Sequence, residues 1–127
     1  MVIEVRFPGG VAVDAAMKGQ VVHTDQGPNE VAPFDLFLAS IATCAGFYAL
    51  RFCQQREIAT EGLGVSMEVI RGEKRIETLR IDLRLPPAFP EKYRDAIVRA
   101  IDQCAVKKAI MDPPRIEIAV EQPAVAG

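Results

Sequence analysis

An α+β domain, with helices laid on antiparallel sheets around a buried central helix, is predicted by three observations. Apolar and polar residues alternate with period two in several short stretches, mid-chain runs uncharged over a helical length, and a helical period returns after Pro90. The 127 residues, half of them hydrophobic and a quarter charged, suffice for one domain, 1–127, with its own core.

The first strand is predicted over "VIEVRF", where Ile3, Val5 and Phe7 share one side and Glu4 and Arg6 the other. Pro8-Gly9-Gly10 closes it. "VAVDAAM" and "QVVHTD" read as two further strands joined through Lys18-Gly19, which makes the first third an antiparallel meander. "QGPNEVAP" is a loop. From Pro33 to about Glu57 a helix is expected: proline suits the first helical position and Asp35 the positive end of the helix dipole. No charge follows until Arg51, so this helix is expected to be buried on almost every side. Its uncharged run, Leu36 to Leu50, is shorter than the roughly 20 apolar residues of a membrane span.

"GLGVSMEVI" and "IETLRIDLRL" form a hairpin through Arg71 to Lys74, with Leu79, Ile81, Leu83 and Leu85 facing inward. A second helix is expected near Pro90, with Tyr93, Ile97, Ala100, Ile101 and Cys104 along one face, packed on the sheet. Pro113-Pro114 stops a short helical continuation, and "RIEIAV" is expected to be the last strand. So apolar a central helix needs more cover than one small chain offers. An obligate two-fold dimer with the helix near its interface is therefore predicted.

Composition excludes several classes of function. The formal charge of −2 and pI near 5.4, with acids and bases interspersed, give no basic patch for nucleic acid. The first residues lack the cationic head and apolar run of a signal peptide, and no membrane partner is expected. Three widely spaced cysteines do not form a disulfide framework; they suit a reducing compartment, the cytoplasm, and leave thiol chemistry open. His23 stands in no recognisable metal-ligand spacing and reads as structural. Neither Ser40 nor Ser66 occupies a nucleophile elbow, and no glycine-rich phosphate loop precedes a helix, so no cofactor is expected.

The cysteines carry what chemistry there is. Cys44 and Cys53 are nine residues apart on one helix. They point to opposite sides with about 13.5 Å of rise between them, beyond the roughly 7 Å limit for a disulfide. Cys53 then reads as a small core hydrophobe. Cys104 ends the second helix where a new turn begins, near backbone N–H groups that favour a thiolate.

The run "GPNEVAPFDLFLASIATCAGFYALRFCQQREI" resembles the central-helix signature of the OsmC/Ohr family: a Gly/Pro/Asn loop, a proline, an acidic residue, and a cysteine eleven residues after the proline. "IDQCAVKKAI" is similar to the family's second cysteine segment, with Ala105 in place of a proline, and the order of elements agrees over nearly the whole chain. The resemblance implies an intertwined homodimer with both cysteines in one interfacial pocket. It also implies a peroxidase in which Cys44 attacks a peroxide, Cys104 resolves the sulfenic acid to a disulfide, and a dithiol reductant restores both thiols. Phe47 and Tyr48, one turn beyond Cys44, are expected to line the pocket for an organic hydroperoxide. Phe34 follows Pro33 where peroxidase members carry glutamate; Asp35 matches the acidic residue of the broader OsmC-like branch, and no arginine falls in the activating place. Since a thiol of ordinary pKa is mostly protonated at neutral pH and Cys44 is mid-helix, an external cation is expected to activate it. The alternatives are a non-enzymatic dimer that binds a small ligand in the same pocket, and a persulfide or acyl carrier on Cys44.

Overall fold

In the computed structural model, which describes residues 1–123, the chain runs β1 (Glu4–Gly9), β2 (Ala12–Met17), β3 (Gln20–Thr24), α1 (Pro33–Gln55), β4 (Gly64–Arg71) and β5 (Ile76–Arg84). A 3-10 turn (Glu91–Tyr93) then leads into α2 (Arg94–Asp102) and α3 (Ala105–Met111). The strands make two antiparallel sheets, β1-β2-β3 and β4-β5. The α+β class follows as predicted.

Each junction has a local cause. Lys18 and Gly19 both take positive φ, 50° and 73°, so the β2–β3 reversal uses the left-handed pair of a tight hairpin turn. Thr24, buried at the end of β3, donates its hydroxyl to the Val13 carbonyl at 2.6 Å and ties β3 to β2 beside the chain's exit. Pro33 opens α1, and the Asp35 carboxylate accepts the Ala32 N–H at 2.9 Å, occupying one donor that the helix start leaves free. Along β5 the expected alternation holds: Leu79, Ile81 and Leu83 are half-buried and Arg80, Asp82 and Arg84 exposed.

The core lies where α1 crosses α2 over the β4–β5 hairpin. Ala49, Phe52, Cys53 and Ile97 are buried together, flanked by Ile58, Leu63, Val65, Leu83, Leu85 and Tyr93. Phe52 meets the Tyr93 ring edge-on at 5.9 Å, and Cys53 is wholly enclosed. Although α1 is long and apolar enough to cross a membrane by length and composition, its C-terminal half is the central element of this core.

Three expectations change. Instead of being enclosed on almost every side, α1 buries only Leu38, Ile41, Ala45, Ala49, Phe52 and Cys53, while Phe34, Phe37 and Phe47 face outward. Its chief neighbours are α2, α3 and β4, which cover one flank; the three-stranded sheet packs mainly within itself. For the same reason β1 is exposed along its whole length, with Phe7 at 79%, rather than half-buried. The segment 115–120 forms no strand: its alternation is real, but Ile116, Ile118 and Val120 have no neighbouring strand to pair with among the described residues.

Candidate redox site

Two breaks in regular structure bring Cys104 to Cys44. Helix α2 stops at Asp102, the Gln103 and Cys104 N–H groups close back onto Ala100 and Ile101 at 3.1 and 3.0 Å, and Cys104 becomes the residue that precedes α3. A helix start leaves its first N–H groups without intrahelical partners. Those of Ala105 and Val106 point at the sulfur of Cys44, which α1 presents from its middle turns, and the Cys104 thiol hydrogen-bonds the same sulfur.

The two thiols are thereby made unequal. Burial pushes the Cys44 pKa up, but the hydrogen bond from Cys104 and the N–H groups of Val106 and Ala105 outweigh it, and the net displacement is downward. Cys104 moves the other way: burial first, then the contact with Cys44, raise it against the N–H groups of Lys107 and Val106. Cys44 is the half-exposed member and Cys104 the buried one, and both are free thiols. The stabilisation that the sequence assigned to an outside cation is supplied within this chain by backbone and thiol donors. Cys53 is displaced upward by burial, opposed by the nearby Arg56 charge, as befits a thiol held inert in the core.

An apolar cavity of about 340 Å³ opens on Cys104, lined chiefly by Ile41, Leu79, Ile81, Ile101, Ile110 and Met111. Asp102 and Lys107 form an ion pair at its edge and link the end of α2 to α3. Phe47 and Tyr48 stand edge to face at 5.9 Å, but they line a different groove, between α1 and α2. Sequence reasoning missed the Cys104 cavity. Two signals pointed to it: Ile41 lies three residues before Cys44 on α1, and Leu79 and Ile81 lie on the inward face of β5.

In the three-stranded sheet, His23 Nδ1 meets the Asp14 carboxylate at 2.5 Å across the β2–β3 pair. His23, Asp25 and Glu30 each bring a ligand atom within 4.8 Å of the others. Short-range spacing conceals this cluster, since Glu30 arrives through the loop whose Asp25 N–H bonds the Val31 carbonyl. The hydrogen bond with Asp14 raises the His23 pKa; partial desolvation opposes it, and the charges of Asp14, Asp25 and Glu30 add to the rise.

A small α+β fold with two antiparallel sheets and a long helix, here carrying a thiol pair at a helix junction, is the architecture of the OsmC-like class of protein. The model of that family, described as OsmC-like protein, matches residues 24–119, and the chain belongs to it. Among solved structures, one from Psychrobacter arcticus 273-4 shares the fold with a TM-score of 0.73 and 17% identity, over 86% of this chain and 87% of that one. Its assignment as an osmotic stress induced and detoxification response protein is itself provisional. A hypothetical protein from Aquifex aeolicus VF5 is similar at TM-score 0.65 and 14% identity, over 88% of this chain and 87% of its own. No curated protein matches the chain.

Proposed function

We propose that the protein is a cysteine-based peroxidase that reduces organic hydroperoxides or hydrogen peroxide. The observation that carries this reading is the contact of Cys44 with the Cys104 thiol and the N–H groups of Ala105 and Val106, which displaces the two thiols in opposite directions. A low-pKa sulfur attacks; a high-pKa neighbour stays protonated until needed.

The Cys44 thiolate attacks the outer oxygen of the peroxide, the O–O bond breaks, and the alkoxide takes up a proton and leaves as alcohol or water. Cys44 is now a sulfenic acid. The Cys104 sulfur then attacks the Cys44 sulfur, the C–S–OH oxygen leaves as water with the Cys104 proton, and a disulfide joins the two. An external dithiol reduces this bond by exchange and is itself oxidised to a disulfide. The alkyl part of an organic hydroperoxide fits the apolar cavity at Cys104.

In this reading the working form is a cytoplasmic homodimer, which covers Phe34 and Phe37 of α1 and the apolar residues of β1; neither nucleic acid nor membrane takes part. Replacement C44S should abolish peroxide consumption with a dithiol reductant, and activity equal to the unmodified protein would end the proposal. C104S should still consume about one equivalent of peroxide and then stall. The apolar cavity also favours a second reading, a non-enzymatic small-ligand binder, which saturable binding without turnover would identify.

A further inference from the structure

We infer that the groove between the C-terminal half of α1 and α2 binds a small organic anion, a carboxylate or phosphate carried on a flat apolar body. Arg51 from α1, Arg56 just after its end and Arg99 from α2 line one concave volume of about 540 Å³, and no Asp or Glu lines it. None of the ion pairs among the described residues uses these three guanidiniums. On a chain of formal charge −2, three positive groups around an acid-free hollow form a local field opposite to the molecule's average.

The groove is also prepared for an apolar body. Its walls carry Phe47, Tyr48 and Phe52, and Phe47 is 57% exposed, leaving a ring face free to stack. Arg56 is already oriented: its guanidinium carbon lies 3.6 Å from the Phe52 ring centroid, and it donates to the Phe52 carbonyl at 3.3 Å. A planar fork held in place in this way loses little freedom when it grips an oxyanion with its remaining donors. The volume suits a small molecule. No cysteine lines the groove, and the inference stands apart from the thiol chemistry.

Titration calorimetry on the full chain tests it with phenyl phosphate and benzoate as probes and benzyl alcohol as their neutral counterpart. Saturable binding of the anions, weakened by added salt, is expected, with each of R51Q and R99Q costing about tenfold in affinity, as loss of a charge-assisted hydrogen bond does. C44S should bind like the unmodified protein. Circular dichroism should show both arginine variants folded, since both side chains are exposed. The inference is overturned by no saturable binding of either anion, by equal binding of benzyl alcohol, by unchanged affinity in R51Q and R99Q, or by loss of binding in C44S.

Discussion

Cys44 is a mid-helix thiol, and its own helix lends it nothing; its displaced pKa comes from a neighbouring helix start and from Cys104. Its reactivity should therefore persist to lower pH than that of a thiol at the ordinary 9.0, and fall only as pH drops through the lowered value. The pH dependence of Cys44 alkylation, followed by mass spectrometry, checks this. Replacement C104A removes the strongest favourable contact and should move the profile to higher pH; an unmoved profile would assign the effect to the backbone alone. His23 gives a second titration with the opposite sign. A histidine raised on folding stabilises the fold fully below its ordinary 6.5, and that contribution disappears as pH rises through the higher folded value. Replacement D14N should return the His23 titration, read by NMR, toward 6.5.

At the scale of elements, α1 depends on a defined start and a defined seat. Removing the Asp35 carboxylate in D35A frees the Ala32 N–H and should lower stability by about 1 kcal/mol, measured by denaturant unfolding. Replacement I97A opens a void where α2 meets α1 and should cost roughly 2–5 kcal/mol in the same measurement. These elements were legible because their causes are local: Pro33 and Asp35 mark a helix start, and Leu79, Ile81 and Leu83 mark the inner face of a strand. The last strand was not, because the alternation in Ile116 and Ile118 says that a face exists without saying what pairs with it. Cys44 and Cys104 were recoverable as candidates through the spacing shared with a family. Free N–H groups at the turn after Cys104 were expected to favour a thiolate on Cys104 itself; that those of Ala105 and Val106 serve Cys44 instead, while Cys104 is displaced upward, was not legible, since it depends on how α1 meets the start of α3.

Across the whole molecule, apolar surface is distributed unevenly. One flank of α1 is sealed by α2, α3 and the β4–β5 hairpin, whereas Val5, Phe7, Val21, Phe34 and Phe37 remain outside. Scattered exposed apolar residues are ordinary, but an uncovered sheet and an uncovered helix flank in one small chain are the surfaces that the proposed homodimer would cover. Sedimentation equilibrium should give a two-fold assembly at micromolar concentration, and the melting temperature should rise with protein concentration. A monomer with a concentration-independent melt would show that these surfaces stay bare.

The start of α3 holds Cys44 by hydrogen bonds that only the reduced sulfur accepts well. Were that sulfur drawn into a covalent link with Cys104, the amides of Ala105 and Val106 would lose this acceptor, and the first turn of α3 would be held by the Lys108 N–H bond to the Cys104 carbonyl and the Asp102–Lys107 ion pair alone. Exchange of these two amides with deuterium should therefore run faster in the oxidised protein than in the reduced one. The fold would thus register the state of its sulfur atoms as a loosening, legible at a distance of one helical turn.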